Sequence, residues 1–120
     1  MLQPSRDDYL RKAQQNKGFA HSVKGNDPAS INWSIIAAFY SAVHFVNAFG
    51  AKYNKRYSDH RERNDDVRRN PQLEHLSDDY LDLHDLAWNA RYTMRNYTST
   101  ERQEALQCLE VVETELRKLL

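Results

Sequence analysis

The stretch from Asn32 to Ala51, NWSIIAAFYSAVHFVNAFGA, constrains the fold more than any other part of the chain. At helical spacing it puts Ile35, Ile36, Phe39, Val43, Val46 and Phe49 on one face and Trp33, Ala37, Tyr40, His44 and Ala48 on the next. A helix that is apolar over more than one face has to be covered from more than one side, so the rest of the chain must supply the covering elements. Tyr40 and His44 lie one turn apart on the second face, where a phenol and an imidazole beside a core each need a partner.

The remaining punctuation supplies those elements. The chain holds three glycines and three prolines, lacks strand-like alternation and is rich in Leu, Ala, Glu, Arg and Gln, all of which favours helices. The first helix is expected from about Ser5 to about Val23, with Asp7 and Asp8 in its first turn and Tyr9, Ala13, Asn16, Ala20 and Val23 near one face. A loop from Lys24 to Pro28 leads into the central helix, which starts near Ala29 or Ser30 and ends near Lys52, with Gly50 weakening its last turn. After a connector from Tyr53 to Ser58, Asp59 caps a short charged helix, DHRERNDDVRR, with Glu62 at the capping-box position. Val67 is its one apolar anchor, so this helix has to lie against something or be held by specific polar contacts. Asn70 and Pro71 serve as cap and first residue of a fourth helix, whose seam is Leu73, Leu76, Tyr80, Leu83, Ala87, Ala90 and Met94. A capping box of Thr98 with Glu101, or of Thr100 with Gln103, opens a fifth helix striped by Ala105, Leu109, Val112, Leu116 and Leu119. Short connections make this an all-α, antiparallel up-and-down bundle of four long helices plus one short charged helix, in one domain over residues 1–120.

Charge and composition narrow the function. Seventeen basic residues balance seventeen acidic ones, so no global field announces a nucleic acid or an anionic membrane, and any basic site must be local. The balance is uneven along the chain. Lys52 to Arg69 holds seven basic residues against four acidic, whereas Asn70 to Ala87 holds Glu74, Asp78, Asp79, Asp82 and Asp85 with no Lys or Arg. These runs are read either as solvated faces that pair across the bundle or across a dimer, or as the frame of an anion site contacted by Arg61, Arg63 or Arg68. The single cysteine, Cys108, lies on an apolar helix face as a small core residue and leads us to expect a reducing, cytoplasmic setting. No signal peptide is read at the start. The longest apolar run, Ile35 to Tyr40, is far shorter than the about 20 residues a bilayer requires, so no membrane partner is expected.

Metal chemistry has little to build on, because there is no HExxH, no CxxC and no Glu three residues before a His; no metal or cofactor is expected. Gly-rich phosphate loops and a GxSxG nucleophile are absent as well. What remains is a polar set. His60 and Arg63 share a face of the short helix, and Arg91 with Tyr92 ends the most regular helix with a guanidinium beside its apolar seam. We therefore expect Tyr40, His44, His60, Arg63 and Arg91 to cluster at the open end of the bundle. The competing interpretation is a structural hydrogen-bond network that pins the short helix.

The order WSIIAAFYSAVHFVNAF, then SDHRERNDDV, then LSDDYLDLHDLAWNARY resembles a branch of the HEPN superfamily, the higher eukaryotes and prokaryotes nucleotide-binding domains, over roughly Ala13 to Leu116. Its most specific parts are Trp33, Ala37, Tyr40 and His44 as W-x3-A-x2-Y-x3-H, His60 and Arg63 as H-x2-R, and the closing Ala90, Arg91 and Tyr92. The resemblance implies a helical bundle forming a homodimer and an RNA or nucleotide ligand. Many members are metal-independent endoribonucleases, often toxins paired with a nucleotidyltransferase-like antitoxin, while others only bind. It implies binding roles for Tyr40, His60, Arg63 and Tyr92 and catalytic roles for His44 and Arg91. Active members carry Arg, four to six residues, then His. Counted from Arg91, the His position falls here on Asn96, Tyr97 or Thr98, and Arg69 with His75, which fit the spacing, are separated by Pro71. Arg91 is thus left to hold phosphate, with only a displaced His44 or His60 to move a proton.

Overall fold

Asp27 starts the central element by accepting the Ser30 backbone N–H at 3.1 Å, with Pro28 as the first helical residue, and the helix then runs unbroken from Pro28 to Lys52 (α2). The computed structural model describes residues 3–120. It is all-helical, with α1 at Arg6–Ser22, α3 at His60–Arg69, α4 at Glu74–Tyr92 and α5 at Ser99–Arg117 around α2, and no strand among the described residues. The longest dimension is 41 Å, and the 25 residues of α2 span about 38 Å at 1.5 Å each.

α2 packs against α1, α4 and α5, α4 packs against α5, and α3 lies on α4. Ile35, Phe39, Val43, Val46 and Phe49 are buried as their spacing predicts, and Ile31, Ala38, Ala42 and Phe45 are buried on further sides. By length and composition α2 is long and apolar enough to cross a membrane, yet most of it is buried within the chain's own fold. Between Trp33 and Gly50, only the line Trp33, Tyr40, His44 and Asn47 stays open or half-open. Against α1 the contact is close because the facing residues are small. The buried Ser34 hydroxyl donates to the Ala20 carbonyl at 2.7 Å and the buried Ser41 hydroxyl to the Ala13 carbonyl at 2.8 Å, so each polar group taken out of water is satisfied.

The caps follow the sequence with two differences. Ser5 and Asp8 form a capping box on α1, Thr98 and Glu101 form the one on α5, and Asp59 accepts the Glu62 N–H at 2.8 Å. Glu62 does not close a box on Asp59; it reaches back to the Ser58 hydroxyl at 2.5 Å. Asn70 and Pro71 do not open α4 directly. They start a short 3-10 turn over Pro71–Leu73, with Asn70 Oδ1 accepting the Gln72 N–H at 3.0 Å, and α4 follows from Glu74.

Met94 departs from the expected seam. It is 96 % exposed with φ of 56°, outside α4, which ends at Tyr92. The break has a physical cause. The Thr93 N–H and hydroxyl both turn back to the Asn89 carbonyl, while Asn32 on α2 binds the Arg95 carbonyl at 3.2 Å and draws the loop toward α2, where Tyr97 is buried.

At the other end of α2, the Gly50 carbonyl accepts the Lys55 N–H at 2.7 Å as the connector folds back on the helix. A Cβ at Gly50 would stand 2.5 Å from the Lys55 carbonyl oxygen and 2.8 Å from the Tyr57 ring. Gly50→Ala is therefore expected to lower unfolding free energy by about 1–3 kcal/mol despite alanine's better helix propensity, measured by urea titration. An unchanged or raised midpoint would contradict this packing.

Candidate functional site

The open line of α2 meets the last two turns of α4. Arg91 donates through Nη1 to the Tyr40 hydroxyl, and its guanidinium lies 4.8 Å from the Tyr92 ring centroid and 5.8 Å from that of Tyr40. One of its five N–H donors is thus spent on Tyr40, and the planar fork is held between two aromatic faces. Beside it Trp88 packs against Tyr92, with centroids 4.6 Å apart, and His84 stacks on Trp88 at 6.3 Å. Phe39 forms the floor, within 5.6 Å of His60 and 5.4 Å of His84. Together they line a pocket of about 70 Å³.

Tautomers follow from the partners. The Nδ1 of His60 is 2.9 Å from Arg63 Nη1, and a guanidinium can only donate, so Nδ1 accepts and the ring proton sits on Nε2. The same conclusion comes from charge. Burial, then the neighbouring Arg63, His84 and Arg91, hold His60 below its ordinary value, with Asp59 pulling weakly the other way. The Nδ1 of His84 is 3.1 Å from an Asp85 carboxylate oxygen, which can only accept, so Nδ1 carries a proton and donates it; in the neutral ring Nε2 is then the open nitrogen.

Arg63 holds this arrangement from behind. It is 7 % exposed, donates through Nε to Asn47 Oδ1 at 3.0 Å, and makes no ion pair with a carboxylate among the described residues. The Tyr80 hydroxyl, fully buried near this guanidinium, has no partner in hydrogen-bonding geometry, and burial pushes its pKa up to about 12. A buried cation without a carboxylate costs free energy and gives the pocket in front of it a positive potential.

Of the expected cluster, the structure brings Tyr40, His60, Arg91 and Tyr92 together and places Arg63 behind them as the residue that orients His60. His44 lies elsewhere. It faces the opposite side of Tyr40, its ring stacked on Tyr9 at 6.1 Å, with Nδ1 buried and unpartnered. Burial, then Lys12 and Arg63, lower its pKa. It shares an open groove of about 510 Å³ between α1 and α2 with Lys12, Phe19, Trp33 and Tyr40. Sequence reading missed His84 and Trp88. The signal was the spacing His84, Trp88, Arg91, a second line on α4 alongside its apolar seam. Among the described residues, no three His, Cys, Asp or Glu side chains are grouped to hold a metal ion. Comparisons with protein-family models, with curated proteins and with solved structures found no match.

Both lowered histidines are more easily protonated in the unfolded chain, whose value is near 6.5. Their contribution to stability is present above pH 6.5 and is lost as pH falls from there toward the folded values. Unfolding free energy measured by urea titration is expected to drop between pH 7 and 5.5, and His44→Gln with His60→Gln to flatten that drop. An equal slope in the double variant would contradict the neutral assignment.

Proposed function

We propose that this chain is a HEPN-like domain that binds RNA or a nucleotide on the face where α2 meets the end of α4, with its longer helices forming an antiparallel up-and-down bundle. The observation that carries the reading is the Arg91 fork set between Tyr40 and Tyr92 beside Trp88. A guanidinium with free donors suits a phosphate, and adjacent exposed rings suit a base. His60 adds an Nε2–H donor, and the positive potential of buried Arg63 favours an anion.

Binding is better supported than cleavage by His44 or His60. The lone pair that His60 would need to take a proton is occupied by Arg63, and His44 faces the other groove. A metal-independent endoribonuclease is a second reading with one observation in its favour: His84 lines the Arg91 pocket with its Nδ1 turned to Asp85, so that in the neutral ring Nε2 offers a base for a bound 2′-hydroxyl. A homodimer and a nucleotidyltransferase-like antitoxin partner belong to the same proposal, on the sequence resemblance alone. A purely structural role for the cluster fits its Arg63–His60–Asn47 half, which pins α3, but leaves the exposed Arg91, Trp88 and Tyr92 unexplained.

Arg91→Ala is expected to weaken binding of a single-stranded oligonucleotide about tenfold, because a charge-assisted phosphate bond contributes roughly 1.5–3 kcal/mol. The slope of log affinity against log salt should fall by about 0.7, with the melting temperature unchanged. Unaltered affinity would sink the phosphate role. RNA cleavage in EDTA that is lost in His84→Ala and kept in His44→Ala would establish the second reading.

A further inference from the structure

Resting on that nucleic-acid reading, we infer that the ligand is a single strand several nucleotides long, laid from the Trp88–Tyr92 pocket over Tyr40 into the α1–α2 groove. Size argues first. About 70 Å³ at Arg91 is far below the roughly 300 Å³ and upward of sites that enclose a small molecule, so a base has to lie on the outer ring faces. That is how strands are held on stacking platforms, and a lone nucleotide gains little there.

Continuity argues next. Tyr40 links the two, its hydroxyl bonded to Arg91 of the pocket and its ring lining the groove of about 510 Å³. From Tyr40 the line runs back along α2 to Trp33, seven residues or about 10 Å, against about 3.4 Å per step of a stacked strand. Each end carries a platform. Trp88 and Tyr92 are 55 % and 56 % exposed, Trp33 and Phe19 59 % and 53 %.

Charge then selects the occupant. The lining of these two clefts holds Lys12, Arg91, His44, His60 and His84 and no carboxylate; Asp85 touches His84 from outside the lining. Acid lies in the other grooves. The one between α4 and α5 is lined by Asp79, Asp82, Asp85, Glu101 and Glu104 against a lone Arg95, and the one between α1 and α5 by Glu110 and Glu113 with Lys17 and His21. In a chain of zero net charge, the two aromatic clefts are thus lined by cationic and neutral groups alone, with Asp59 and Asp85 at their edge, which fits an anionic polymer with unstacked bases.

Fluorescence anisotropy tests this with adenosine monophosphate as competitor and labelled oligoadenylates of two to twelve nucleotides, on the wild-type chain, Trp33→Ala, Trp33→Phe and Arg91→Ala. Affinity is expected to rise with length over the first several nucleotides. Trp33→Ala should leave the dinucleotide unaffected and cost the octanucleotide about fivefold or more, the effect of losing one stacked base, while Trp33→Phe retains most of it. Trp33 is exposed, so a melting curve of the variant should match wild type. Binding that is flat with length yet sensitive to Arg91→Ala would overturn the track and leave the Arg91 site standing; no binding at any length would remove both. Trp33→Ala that converts a dimer to monomer with length dependence intact would also overturn the track, assigning the groove to a second copy.

Discussion

α2 cannot be solvated on most of its circumference, and the molecule is arranged around covering it. Each buried Phe, Ile or Val side chain contributes roughly 1.5–3 kcal/mol, so leaving one side bare would forfeit more than the few kcal/mol by which a domain of this size is stable. α1 covers one side through small residues and two serine-to-carbonyl bonds; α4 and α5 cover the rest. What is left over is a line one residue wide per turn, carrying Trp33, Tyr40, His44 and Asn47. That remnant holds the residues for which packing gives no reason.

α3 closes the fold by different means. Its one buried apolar side chain is Val67, and polar contacts supplement it. Arg63 reaches Asn47 on α2, the Tyr57 hydroxyl donates to Asp66 at 2.5 Å, and Lys55 pairs with Asp66 at 3.1 Å. The half-buried Asp66 is thereby held below the usual carboxylate range, its hydrogen bonds from Tyr57 and Lys55 outweighing a burial that alone would raise it. Arg63 therefore has two consequences from one placement: it anchors α3, and it fixes His60 as a neutral donor facing Arg91. Stability and site chemistry share this guanidinium.

Much of the fold was legible because it rests on local rules. The two apolar faces of α2, the caps at Asp59 and Thr98 and the stripe of α5 from Ala105 to Leu116 follow from spacing and from side chains that satisfy helix-end N–H groups. The fourth helix closes on Arg91 and Tyr92 as read, but departs in two places for tertiary reasons: the 3-10 turn at Pro71 precedes it, and the Asn32 contact draws the chain away before Met94 could join the seam. The site was half legible. Tyr40, His60, Arg63, Arg91 and Tyr92 are connected as expected, but side-chain direction around α2 sent His44 to the far side of Tyr40. His84 and Trp88 were passed over because an aromatic or a histidine on a charged helix has no meaning until its neighbours are known.

The central claim is that this aromatic and cationic line is a binding surface and not an incompletely covered core. Because the chain has two tryptophans, Trp33 and Trp88, one at each end of the line, their indole N–H resonances in isotope-labelled protein report on it directly. On titration with a single-stranded octanucleotide, both indoles are expected to shift together with one half-saturation point while amides around Cys108, in the acidic α4–α5 groove, stay in place. Shifts confined to that groove, or two indoles that do not move, would contradict it.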